Sequence, residues 1–200
     1  DMPSKEKPAI LVVDDEESVR RVIGRILGSQ GYHVREASGV DEALELLKER
    51  DYAVLLTDYM MGTRTGLELI VESEALYPDM IKILLTGFGG RELYRDVVNR
   101  GSVFSIIEKP SDTESLLDTI ARAVQHRLHL LDEREETDKL RTQYHDIFAN
   151  TTDLIQCIDA NGAFIYVNPA WYRTLGYSEP AIRSMTMHSI VRKDFIPSCK

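Results

Sequence analysis

The strongest constraint on this chain is the alternation in its first 110 residues. Ile10–Val13, Tyr32–Glu36, Ala53–Thr57, Ile81–Leu85 and Val103–Ile107 read as strands, and 17–29, 39–49, 65–76 and 90–99 as helices between them. The first, third and fourth strands are almost wholly apolar, a pattern that suits strands covered on both faces. In the second helix Val40, Ala43, Leu44 and Leu47 recur at helical spacing, and in the third Leu67, Ile70 and Val71 do so. Gly31 and Gly101 follow the first and fourth helices, where a left-handed cap is wanted. Strict β–α alternation predicts an α/β fold, a doubly wound parallel sheet with helices on both sides.

In such a sheet the strand C-termini open onto one edge, and chemistry gathers there. The first strand runs straight into four acids, Asp14 to Glu17. The third ends at Asp58, the fourth at Thr86-Gly87 and the fifth at Glu108-Lys109-Pro110. Two unit charges about 4 Å apart repel by on the order of 4 kcal/mol at an effective dielectric of about 20. Three carboxylates in one crevice therefore need a cation. Mg²⁺ suits them, because it takes hard oxygen ligands and keeps several waters, and Lys109 adds a fixed ammonium. With a phosphoryl group on Asp58, the metal and Lys109 would neutralise its oxygens while the Thr86 hydroxyl donates to another. The product is an acyl phosphate. Taken singly these residues are ordinary: an Asp pair caps a helix, Asp58 is a loop acid, Thr86-Gly87 is a strand end. Their joint placement on four strand ends carries the reading.

A fifth helix follows Lys109-Pro110, with Ser111 or Asp112 as cap and Glu114 in its first turn. From Thr113 to about Ala149 there is no Gly or Pro. Leu117, Ile120, Val124, Leu128 and Leu131 form an apolar stripe. The charged stretch Asp132–Lys139 has none, and Leu140, Tyr144, Ile147 and Phe148 resume it. Such a helix outgrows one small domain. It reads as a coiled-coil-like linker that pairs two chains, with a solvated linker helix as the alternative. Beyond residue 150, Leu154–Ile158 and Phe164–Val167 read as strands around an Asp159-Ala-Asn-Gly162 turn, followed by short helices from Asn168-Pro169 and Ser178-Glu-Pro180.

A net charge of −9 argues against an electrostatic hold on nucleic acid or anionic membrane. No apolar run approaches the ~20 residues of a membrane span. Cys157 and Cys199 lie far apart and fit reduced thiols in a cytoplasmic protein.

On Asp14-Asp15, Asp58 with Met61 three and Gly66 eight residues later, Thr86-Gly87 and Lys109-Pro110, residues 8–130 resemble a response-regulator receiver domain. The resemblance implies a flavodoxin-like (βα)5 sheet of order 2-1-3-4-5. It implies Asp58 as phosphoacceptor, served by a sensor histidine kinase or a phosphotransfer protein. Asp15, Asp58 and the Met60 backbone carbonyl would ligate Mg²⁺, with Asp14 acting partly through water. Thr86 and Lys109 would bind the phosphoryl group, and Lys109-Pro110 would be a cis peptide. Two departures stand out. Gly62 occupies the place, four residues after the acceptor, where the family usually carries Pro, and should loosen that loop. Ile106 stands where the family usually has the Tyr or Phe whose rotation reports phosphorylation. Phe104, two residues earlier, is expected by alternation to face the same side as Ile106. Phosphorylation is expected to survive both changes, and the usual coupling is not.

Residues 144–200 resemble the N-terminal part of a PAS sensor domain, through Tyr144 to Asp159, Gly162, Tyr166-Val-Asn-Pro-Ala-Trp171 and Leu175-Gly-Tyr-Ser-Glu179. The implied layout is a receiver at 8–126, a helical linker at 127–146 and a truncated α+β PAS domain at 147–200. Half a sheet cannot cover its apolar face alone, so residues 150–200 are expected to be poorly ordered or covered by a partner chain. No PAS cofactor is expected: the Asn-Cys motif of flavin-binding light sensors is absent, Cys157 sits on a strand, His188 reads as a surface histidine, and Trp171 and Tyr172 read as core. The resulting expectation is a cytoplasmic two-component response regulator, homodimeric through its linker helix, without direct nucleic-acid or membrane contact, relaying to a PAS domain and a further output domain. Its own chemistry would be limited to Mg²⁺-dependent gain and loss of phosphate on Asp58. The alternatives are a degenerate receiver that only dimerises or docks, or the receiver part of a hybrid histidine kinase or cyclic-di-GMP enzyme. Haloacid-dehalogenase phosphatases need Asp-x-Asp on the first strand, where this chain has Asp14-Asp15-Glu16. In a flavodoxin those acids would repel the FMN phosphate.

Overall fold

Every residue of Ala9–Val13, Val54–Asp58 and Ile81–Thr86 is buried, as strands with helices on both faces require. In the computed structural model, which describes residues 7–87, 97, 103–109 and 111–190, the elements run as follows. First come β1 (Ala9–Val13), α1 (Glu17–Ser29), β2 (His33–Ala37), α2 (Val40–Glu49), β3 (Val54–Asp58), β4 (Met60–Met61), β5 (Arg64–Thr65) and α3 (Gly66–Glu74). Then come β6 (Ile81–Thr86), β7 (Ser105–Glu108), α4 (Thr113–Asn150), β8 (Gln156–Ile158), β9 (Phe164–Val167), α5 (Pro169–Leu175), α6 (Glu179–Arg183) and α7 (Met187–Ile190). The expected helix at 90–99 (apart from Val97), Gly101, the Lys109-Pro110 peptide, the His188 side chain and Cys199 lie outside the described residues. Two compact units divide the chain, Asp1–Glu133 and Arg134–Lys200.

The first unit is built on a parallel five-stranded sheet of order β2-β1-β3-β6-β7. With the small β4–β5 hairpin set aside, this is the expected 2-1-3-4-5 winding. Successive residues of a strand point to opposite faces, so each strand feeds two cores. Leu11, Val13, Leu55 and Leu84 pack with Ala43 and Leu47 of α2 and Leu69 and Ile70 of α3. Ile10, Val12, Leu56, Ile83 and Leu85 pack with Ile23 and Leu27 of α1 and Leu116, Ile120 and Ala123 of α4. β2, at the sheet's margin, buries only Ala37.

Local chemistry sets the boundaries. Gly31, past the end of α1, takes φ +85° and donates to the Gly28 carbonyl at 2.9 Å. Thr65 and Glu68 form a reciprocal capping box at the start of α3. Asp112, rather than Ser111, caps α4: its Oδ1 accepts from the Ser115 N–H at 2.7 Å. The buried face of α4 overlaps the expected stripe at Ile120 and Val124 and is offset from it elsewhere. Leu116, Thr119, Ile120, Ala123 and Val124 are buried, while Leu128 is exposed. Leu116, Thr119 and Ala123 widen the buried face on one side of Ile120 and Val124, while Leu117 packs only partly against the same core. In α3, likewise, Leu69 is buried and Val71 exposed.

In the second unit β8 and β9 pair antiparallel. Asp159 Oδ1 accepts from the N–H groups of Asn161 and Ala163 (2.9 and 2.8 Å), and Gly162 takes φ +79°. Phe164, Val167, Trp171 and Ile182 form a small core. Asn168 is fully buried. Its Oδ1 accepts from Ile155 N–H (3.1 Å), and its Nδ2 donates to the carbonyls of Phe148 (3.2 Å) and Asp153 (2.9 Å). Tyr172, Tyr177, Met185, Met187 and Ile190 pack partly against this core, while Ile158, Ile165 and Tyr166 are exposed. Among the described residues no helix is long and apolar enough to cross a membrane.

Candidate metal centre

Asp14 lies just past β1 and is 1% exposed, Asp58 ends β3 at 8%, and Asp15 faces solvent. One carboxylate oxygen from each lies within 4.8 Å of the others. β7 delivers Lys109 to the same point: the Lys109 N–H donates to the Thr86 carbonyl at 2.7 Å. Its Nζ lies 2.5 Å from Asp14 Oδ2 and 2.7 Å from Asp58 Oδ1. Thr86, the last residue of β6, is buried beside this junction. The structure thus brings together the acids, the ammonium and the strand end that the sequence singled out. Met60 follows on β4, two residues beyond Asp58, with its side chain exposed.

Burial raises the Asp58 pKa, and the charges of Asp14 and Asp15 add to this, while the bond and charge of Lys109 act against it. For Lys109, burial works against the ammonium, but the bonds and charges of Asp14 and Asp58 outweigh it and hold its pKa above the ordinary lysine value. The donor set is hard carboxylate oxygen with one exposed member, which fits Mg²⁺ and gives soft metals nothing to bind. Sequence reasoning missed Arg20, whose Nη1 donates to the Asp14 carbonyl at 2.5 Å and clamps the β1–α1 loop. It also missed the apolar groove of about 430 Å³ beside Lys109, lined by Val19, Val22, Ile23, Ile26 and Leu116 among others.

Glycine is compulsory at Gly66. A Cβ there would lie 2.0 Å from the Asp58 carbonyl oxygen and 2.8 Å from Thr57 Oγ1. That approach lets the Gly66 N–H reach the Tyr59 carbonyl (2.9 Å), while the Tyr59 N–H donates to Leu85 (2.8 Å). At Gly62 the chain makes a turn. Met60 pairs with Thr65 and Met61 with Arg64, closed by a two-residue Gly62-Thr63 turn in which Gly62 has φ +61°. Positive φ at the first central position alone is the type II′ pattern. Proline, fixed near −65°, could not adopt it, so glycine here builds a hairpin.

Phe104 does not share a side with Ile106. Its ring stacks on His126 of α4, centroids 5.3 Å apart, whereas Ile106 packs into the core on the α2–α3 face. Phe104 occupies a bend just before β7, so strand alternation does not extend back to it. In the second unit Cys157 is a free, exposed thiol.

A family model described as response regulator receiver domain matches residues 10–121, and one described as PAS domain matches residues 142–199. The hydrogenase transcriptional regulatory protein HoxA of Cupriavidus necator is 32% identical over 135 residues, covering 64% of this chain and 28% of its own length. The nitrogen assimilation regulatory protein NtrX of Azorhizobium caulinodans is 31% identical over 149 residues, covering 74% of this chain and 32% of its own length. The chain thus spans about a third of the curated relatives it matches. Among solved structures, the signal receiver domain of an HD domain-containing protein from Pseudomonas fluorescens Pf-5 superposes with a TM-score of 0.59 at 27% identity, over 62% of this chain and 98% of that one.

Proposed function

Because the chain belongs to the response regulator receiver family, and carries a PAS match after it, we propose that Asp58 accepts a phosphoryl group from a sensor histidine kinase or phosphotransfer protein in a two-component pathway. The observation that carries this reading is Lys109, bonded at once to Asp14 and Asp58 inside a cluster of three acids. An Asp58 carboxylate oxygen bonds to phosphorus while the donor's phosphorus–nitrogen bond breaks, and the imidazole nitrogen keeps that electron pair. Lys109 stands where it can neutralise phosphoryl oxygens, and the Thr86 hydroxyl is assigned to donate to another. Asp15, Asp58 and the Met60 carbonyl would hold Mg²⁺, with Asp14 partly through water; the ion would supply positive charge to the phosphoryl oxygens. The apolar groove beside Lys109 offers a donor protein a surface within reach of Asp58.

The test is labelling by acetyl phosphate. Wild type should label only with Mg²⁺, and Asp58→Asn should not label at all. Equal labelling of the two would defeat the assignment.

The receiver at 8–126 would pass its state through the linker at 127–146 to the PAS part at 147–200, in a cytoplasmic protein. The linker would pair two copies. Leu140, Tyr144 and Ile147 are exposed on α4 at four-then-three spacing. In a parallel pair with these three at the seam, Glu136 of one copy falls opposite Arg141 of the other. Tyr144→Glu should yield a monomer in sedimentation velocity where the wild type is a dimer; an unchanged sedimentation coefficient would remove this part of the reading.

A further inference from the structure

The loop after Asp58 is held at both ends. On one side the Tyr59 N–H and C=O are bonded to Leu85 and Gly66; on the other the Thr65–Glu68 capping box fixes the start of α3. Between them stands a hairpin of only two residue pairs, Met60 with Thr65 and Met61 with Arg64. So short a ribbon has little stability of its own. Met61 anchors the β4 strand by burial in the core. The β5 strand has a different anchor. Arg64 is only 32% exposed although it sits on a surface hairpin; its Nη1 donates to Asp41 Oδ1 at 2.7 Å and its Nη2 to Glu72. Asp41 opens α2 and Glu72 belongs to α3. One guanidinium thus joins two helices to the strand paired with Met60. The two-pronged geometry belongs to arginine, since a lysine ammonium is a single point charge.

We propose that Arg64 is a positioning residue for the metal centre: tied to Asp41 and Glu72, it holds the β4–β5 hairpin so that the Met60 carbonyl keeps its place beside Asp58. The proposal rests on the reading above, in which that carbonyl is a Mg²⁺ ligand. Gly62 gives the tie its importance, because a turn built on glycine relies on its flanks for rigidity.

The experiment is Mg²⁺ titration of the whole chain by calorimetry, with melting curves to establish that each variant is folded. Residues that orient a metal's ligands from outside typically shift affinity by about 10–100-fold. Arg64→Ala should fall at the weak end, about tenfold, with Arg64→Lys in between. The double variant Asp41→Asn/Glu72→Gln removes the tie from its other side and should weaken Mg²⁺ to the same extent. Arg35→Ala, which breaks an exposed pair with Glu49 in the same unit, should change nothing and serves as the control. The proposal is overturned if Arg64→Ala binds Mg²⁺ as the control does, whether or not its melting point has fallen. It is overturned equally if the double variant binds like wild type. If wild type and Asp58→Asn titrate alike, the metal assignment itself fails; if Asp58→Asn loses Mg²⁺ while the Arg64 and Asp41/Glu72 variants bind like wild type, the assignment stands and the positioning fails.

Discussion

The carboxyl edge of the five-stranded sheet and the β8–β9 hairpin hold polar groups by opposite means. At the sheet edge, β3 and β6 are buried along their whole length, and the chemistry-bearing Asp58 and Thr86 are simply their last residues. Their positions follow from two helix-covered cores. The hairpin has only a four-residue buried cluster behind it, and much of its order depends on one side chain, the amide of Asn168. Where covered area is plentiful, a polar site can crowd charges that repel. Where it is scarce, a polar residue must itself supply the structure. The two compact units should therefore respond to different kinds of damage.

The largest expected effect falls on the poorer unit. Asn168→Ala removes three part-buried hydrogen bonds and leaves the Ile155 N–H and the Phe148 and Asp153 carbonyls to be re-satisfied. At roughly 1–2 kcal/mol each this totals about 3–6 kcal/mol. Trp171, the sole tryptophan, lies in that unit's core, so its fluorescence should lose the cooperative transition while the sheet's melting, followed by circular dichroism, stays put. A parallel fall in the sheet's transition would break the comparison. Next comes Gly66→Ala, whose new methyl meets the Asp58 backbone, which cannot step aside as a side-chain tip can. Overpacking of this kind costs about 1–3 kcal/mol. The sheet's melting point and the rate of acetyl phosphate labelling should both drop while the Trp171 transition is unmoved.

The smallest effect sharpens the electrostatic side. Burial raises the Asp58 pKa in the folded state, so the folded chain holds that proton more tightly than the unfolded one. Stability therefore falls as pH rises from the unfolded value through the folded one, and above both the ionised group is a net burden. Without Mg²⁺, Asp58→Asn should melt above wild type at neutral pH, and the gap should close below the ordinary carboxylate range. Lys109, whose pKa is raised, stays protonated throughout that window. A constant gap at all pH values would show that the variant acts by packing rather than charge.

What could be read in advance follows the same division. The apolar runs ending at Val13, Thr57 and Leu85 declare themselves because doubly covered strands carry few polar residues to confuse the pattern; Asp14, Asp58 and Thr86 are located by those strand ends, and Lys109 by the end of the fifth strand. The helix from Thr113 was legible through the absence of any breaker. The β4–β5 hairpin was not, since two-residue strands have no period to detect, and Gly62 read alone signifies freedom rather than a turn. The direction of Phe104 was lost because alternation was carried past the strand's first residue. Arg20 and Arg64 act through partners on other elements or on backbone, and sequence spacing records neither. For α4, helical period located Ile120 and Val124 on the covered side but not that Leu116, Thr119 and Ala123 would complete it in place of Leu128.

One consequence of the Asn168 amide is mechanical. It grips the last turns of the long helix through Phe148 and the approach to β8 through Asp153 and Ile155, from its own position directly after β9. The end of the long helix and the start of the hairpin therefore share one fastening, and displacing either strains the same side chain.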